Sequence, residues 1–226
     1  MCFSAEVDLV AGVLIGGIGI DAVRHVSVPA QRWLASIPLV LGAHQLIESV
    51  VWWGLEGHFS EGVWRFAAWW YLAIAFGLLP VLVPVAVAML EPVSSRRRAS
   101  IFVTLGVVVA AVLMYAVVRG PVEATIEGHH IAYAVDLWRG ELIVLLYVTA
   151  TCGSLLASQR RHVRWFGFAN LIAVVLLAWI DQTAFISLWC AWAAVTSVAI
   201  AVHLRIVDDN TRRPALRHTS GVSSPS

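Results

Sequence analysis

The chain has 226 residues, 60% of them hydrophobic and only 13% charged, with a mean hydropathy of +0.82. Those values exclude an ordinary soluble domain and point to a polytopic membrane protein. A formal net charge of +1, with every one of the 15 cations an arginine, gives no basis for nucleic-acid binding.

The N-terminus, MCFSAEVDLV, lacks a basic n-region and carries Glu6 and Asp8, so it does not read as a cleavable signal peptide and the first helix is expected to stay. A helix needs roughly 20 apolar residues to cross the hydrocarbon. Seven stretches come close: Phe3 to Val23, Leu34 to Leu55, Phe66 to Met89, Ile101 to Val118, Leu142 to Ala157, Phe166 to Ile180 and Phe185 to Ile206. The expectation is an all-α bundle of seven transmembrane helices over residues 1–207, followed by a disordered cytoplasmic tail over 208–226.

In the first stretch Gly12, Gly16, Gly17 and Gly19 would let a neighbouring helix approach closely. In the second, LASIPLVLGAHQLIESVVWWGL, Glu48 lies deep among apolar residues, with His44 one turn before it and Trp52 one turn after, all on one face. A carboxyl group at membrane depth is costly and therefore a functional suspect. The pair Glu48 and His44 either fixes helix packing as a satisfied polar contact or presents a desolvated acid held protonated for proton donation. In the third stretch Pro80 and Pro84 should kink the helix and open space.

The connection Arg119 to Arg139, RGPVEATIEGHHIAYAVDLWR, reads as a lid over the outer face, with His129 and Tyr133 as candidate contacts. His129 and His130 are adjacent, so their side chains diverge; Glu123, Glu127 or Asp136 could complete a cation site, but no HxxxH or HxxE spacing supports one. Cys2, Cys152 and Cys190 suggest neither a disulfide framework nor zinc, so no metal or cofactor is implied. Asp181 falls between the sixth and seventh stretches, either as a solvated turn or, given Trp179, Ile180 and Phe185 beside it, as a second acid facing an apolar surface. Ser197 and Thr196 lack the spacing of a serine hydrolase. No internal repeat of the kind transporters carry is visible.

Arginines at 24, 32, 96–98, 160, 161, 164, 205, 212, 213 and 217 fall on one side of this topology, and only Arg65, Arg119 and Arg139 on the other. The N-terminus is therefore expected outside and the C-terminus in the cytoplasm. That arrangement sends most acids to the outer end. The 11 tryptophans also crowd there, partly as an interfacial belt; Trp52, sharing a face with Glu48, is expected to look into the bundle.

The segments MCFSAEVDLVAG, IPLVLGAHQLIESVVWWGL, GHHIAY and SLWCAWAAVTS resemble a family of short bacterial membrane proteins that begin MCFSA, a family without a settled activity. Where that family tends to carry two glutamines before the acid of the second helix, this chain has His44 and Gln45. The chain is also loosely similar, in helix number, size, intramembrane acids and tryptophan load, to small integral-membrane terpene cyclases. That similarity implies a multi-pass protein of the bacterial inner membrane that cyclises a prenylated small molecule entering from the bilayer. Glu48 would be the proton donor and Asp181 a second acid or terminal base. Trp52, Trp179 and Trp189 would be cation-stabilising walls, and His44, Gln45, His129, Tyr133 and Glu6 further substrate contacts. The alternatives are a proton-coupled transporter or binding protein for a small solute, and a metal-dependent membrane enzyme using His44, Glu48, His129 and His130.

Overall fold

A computed structural model describes residues 4–26, 28–128, 130–137, 139–180, 192, 194–202 and 204–205. The helices in chain order are α1 (Ala5–Arg24), α2 (Arg32–Leu55), α3 (Glu61–Leu72), α4 (Leu79–Leu90), α5 (Val93–Arg119), α6 (Gly140–Leu156) and α7 (Arg161–Ile180). Residues 194–202 and 204–205 are also helical. Three helical stretches, Pro29–Leu55, Glu61–Leu90 and Val93–Arg119, are long and apolar enough to cross a membrane. The expected tail over 208–226 and the turn around Asp181 lie outside the described residues.

α1 and α2 form an antiparallel pair whose backbones touch. A Cβ on Gly12 would meet the Leu46 amide at 2.9 Å, one on Gly42 the Gly16 amide at 2.5 Å, and one on Gly19 the Leu39 amide at 2.4 Å. Gly12 and Gly19 thus play the expected part, with Gly42 as their counterpart, whereas Gly17 faces open space. The buried stripe of α1 is Ala5, Asp8, Gly12, Ile15, Gly19 and Ala22, a helical spacing of three and four. At the far end Arg205 donates from Nη2 and Nε to Asp21 Oδ2 (2.7 and 3.0 Å), tying α1 to the last helix.

α3 and α4 are one rod interrupted at Ala73–Leu78 by a π-helical turn. The cause is Pro80, which has no N–H to give. The Leu79 N–H bonds back five residues to the Ile74 carbonyl, which leaves the Ala75 carbonyl without a helical donor. The Tyr147 hydroxyl of α6 donates to that oxygen at 3.0 Å. Tyr147→Phe is expected to cost about 1 kcal/mol of stability, measured by denaturation in detergent, because it removes the donor from a part-buried carbonyl. Pro80 also receives α5 closely: a Cβ on Gly106 would sit 2.0 Å from the Pro80 carbonyl oxygen.

The α4–α5 and α6–α7 turns are clamped together by buried Glu91. Its Oε1 accepts from the Ser158 hydroxyl and the Gln159 amide, while Gln159 Nε2 donates to Ser95 and Arg160 Nε donates to the Leu90 carbonyl.

The connection read as an irregular lid is a β-hairpin, so the all-α expectation needs correcting there. β1 (Glu123–Glu127) and β2 (His130–Ala134) pair antiparallel in the register Glu123↔Ala134 to Glu127↔His130. The two-residue loop begins with Gly128 at φ +60°, a conformation such tight hairpin turns require and glycine adopts freely. Ala124 and Ile131 on one face of the hairpin are buried against Ala5 of α1, Val51 and Trp52 of α2, and Ala67 and Ala68 of α3. The hairpin therefore covers the end of the bundle where α1 begins and α2 ends.

Candidate functional site

Beneath the hairpin, α2 presents a continuous polar arc to the interior. Glu48 is fully buried, and Gln45, Trp52 and His44 are exposed by only 1%, 4% and 5%. Their spacing explains the common burial, since positions three and four apart on a helix are neighbours. α1 adds Asp8, also fully buried. With Gly12 against Leu46 and Gly16 against Gly42, the antiparallel register carries Asp8 to the level of Val50, within a turn of Glu48.

Aromatic rings close the arc on the α3 side. The His44 imidazole stacks on Tyr71 of α3 with centroids 3.9 Å apart, and Tyr71 stacks on Tyr133 of β2 at 4.7 Å. A column of three rings thus runs from α2 to the hairpin. Stacked pairs of this kind contribute about 0.5–1.5 kcal/mol each beyond their burial. Among the described residues, three buried polar atoms here have no hydrogen-bond partner: His44 Nε2, Gln45 Oε1 and Trp52 Nε1.

One or two turns further along the same face of α2, an apolar cleft opens. Leu34, Ile37 and Leu41 form its α2 wall; Leu79 and Val83 of α4 and Ile200 line other sides. Side chains on a helix lean toward its N-terminus. Leu41 therefore stands between the arc and the cleft on this face of α2. The cleft's own polar lining is Tyr147, Thr151, Asn170, Trp192 and Thr196; the arc lies on the same face of α2 beyond Leu41 and is not part of that lining.

The expected site residues are thus distributed as follows. His44, Gln45, Glu48 and Trp52 come together, and Tyr133 joins them through the ring column. Glu6 is exposed, on the side of α1 away from the arc, and its neighbour Asp8 is buried instead. His130 is half-buried in β2. Trp179 falls within α7, but its side chain, like all of Asp181, Trp189 and His129, lies outside the described residues. Among the described residues no group of three or more His, Cys, Asp or Glu side chains is placed to hold a metal ion.

Asp8 and Tyr71 belong to the site and were not singled out from the sequence. Asp8 had a readable signal, its place three residues after Ala5 and four before Gly12 on the small-residue stripe of α1. Tyr71 had none, because only the fold sets it against His44.

The model of DUF6629, a family of unknown function, matches residues 1–215. No curated protein and no solved structure matches the chain.

Proposed function

We propose, from the premise that the chain belongs to DUF6629 and that this family brings no activity with it, that the protein is a membrane-embedded enzyme. It isomerises a prenylated small molecule by proton-initiated cyclisation, with Glu48 as the acid. One observation carries this reading. Glu48 is fully buried on the face of α2 whose preceding turns, at Ile37 and Leu41, line the apolar cleft.

In that reading the prenyl chain enters from the bilayer and lies along Leu41, Leu79 and Val83. Glu48 gives its proton to one alkene carbon, and the electron pair of a second alkene closes on the resulting cation to form a carbon–carbon bond. A base then takes a C–H proton and restores a double bond, so the product has the formula of the substrate. Asp181 is our candidate for that base. Aromatic faces stabilise the cation; Trp52 and Tyr71 are the described ones nearest Glu48 along the chain and the ring column, and Trp179 and Trp189 extend the set. The protein would be a multi-pass protein of the bacterial inner membrane, N-terminus outside, with the hairpin as an outer lid.

The test uses heavy water. Membranes containing the protein, given farnesylated phenols as probes, are expected to yield products of unchanged formula that carry one deuterium at the protonated carbon, read by mass spectrometry. Products without deuterium would remove proton initiation. Probe uptake into proteoliposomes along a pH gradient with no chemical change would instead favour the transporter reading.

A further inference from the structure

Six arginines crowd one end of the bundle: Arg96, Arg97 and Arg98 just after the α4–α5 turn, and Arg160, Arg161 and Arg164 where α7 begins. All six are exposed. The positive-inside rule accounts for the side of a membrane on which such residues fall, but not for their place on the helices. Cations are favoured at the C-terminus of a helix and disfavoured at its N-terminus, where the macrodipole already has the same sign. Here the last turns of α4 and α6 carry no basic residue. α7 instead opens with Arg161 and Arg164, and α5 carries its three arginines in its first two turns, with no acid in the first turn of either helix. The arrangement is repulsive as it stands and calls for an anion.

The two groups border one space. Gln159 Nε2 donates to Ser95 at 2.6 Å, which pins the α6–α7 turn to the first turn of α5, and Arg98 and Gln159 line the same recess between α4, α5 and α6. Glu91, the one acid in these two turns, also lines it, but its Oε1 accepts from Ser158 and Gln159 and its Oε2 is buried, so its charge is directed into the clamp. Arg160 donates from Nε to the Leu90 carbonyl, and the other five arginine side chains make no hydrogen bond or ion pair among the described residues.

Apolar side chains continue the same faces. On α7, Arg161, Trp165, Phe168 and Ile172 follow one another at steps of three and four residues and are all exposed; on α5, Arg97 is followed in the same way by exposed Ile101. Trp165, beside Arg164, is of the residue type that settles at headgroup level. An anion over the arginines thus has a greasy strip directly beneath it. Acyl chains would cover that strip, whereas a free anion or an acidic peptide would leave it bare.

We infer that this platform holds an anionic phospholipid, its phosphate gripped by arginines from both turns and its acyl chains along the exposed stripe of α7. Guanidinium groups match phosphate through paired N–H bonds, and basic recesses between transmembrane helices suit such headgroups. The inference is independent of any chemistry at Glu48.

The experiment titrates the full chain in neutral detergent with phosphatidylglycerol or phosphatidylcholine and counts bound lipid by native mass spectrometry. Phosphatidylglycerol is expected to bind about tenfold tighter than phosphatidylcholine, and Arg98→Gln/Arg161→Gln, which takes one arginine from each helix, is expected to erase the difference. Arg65→Gln/Arg119→Gln, the same change of charge at the opposite end of the bundle, is expected to preserve it. Glutamine is a good helix former at these exposed positions, and a thermal melt checks that both variants fold. Equal binding of the two lipids by the parent, or an equal loss in the two variants, would reduce the arginines to general surface charge and overturn the inference. Displacement of the bound lipid by millimolar inorganic phosphate would also overturn it, by making the occupant a free anion.

Discussion

Glu48→Gln is expected to lower turnover of a prenylated substrate by about a hundred- to ten-thousand-fold, the range that a positioned general acid contributes. Glutamine keeps the size and the hydrogen-bonding ends of the side chain but cannot release a proton. The substitution leaves the volume of this fully buried side chain unchanged, so the variant is expected to melt within a few degrees of the parent. Product quantified by mass spectrometry and a thermal melt in the same detergent separate the two effects. Full turnover in a folded variant removes Glu48 as the acid.

The second large effect is structural. Gly42→Val is expected to prevent α1 and α2 from closing and to cost at least about 1–3 kcal/mol, the usual range for overpacking. The value should fall at or above the top of that range, because the obstacle is backbone. The first added carbon alone would stand 2.5 Å from the Gly16 amide nitrogen and 2.6 Å from its Cα, neither of which can rotate away. Gly17→Ala is the matched control, with nothing within 4 Å of the new methyl group and a gain in helix propensity. Denaturation by increasing detergent strength should show early unfolding of the first variant and none of the second. Since the same interface carries Asp8 to the level of Val50, Gly42→Val should also disturb the polar arc.

Much of this was legible in the residues. Apolar length marked out α1, α2, α5 and α6, and the isolated acid in LASIPLVLGAHQLIESVVWWGL marked the arc with His44, Gln45 and Trp52. What length could not reveal was helix continuing into polar sequence. α5 begins at Val93, two turns before the apolar run, because Arg96, Arg97 and Arg98 are good helix formers that point to water. The hairpin was missed for a related reason. Its signal is the two-residue alternation of Ala124 and Ile126, then Ile131 and Tyr133, around a Gly-His turn, and a search for membrane-length runs passes over it. The contacts that complete the site, Tyr71 on His44 and Asp8 beside α2, join distant parts of the chain and depend on how helices pair.

The π turn ahead of Pro80 also acts as a phase correction. One surplus residue in Ala73–Leu78 turns everything after it by about a hundred degrees relative to an unbroken α-helix. Tyr71 and Leu79 are eight positions apart in the chain but fall in line as if they were seven, so one wall serves both the ring column and the greasy chamber. Winding the same eight residues as regular α-helix would swing the chamber wall out of line with the rings, whereas deleting one residue would remove the bulge and keep the two in phase.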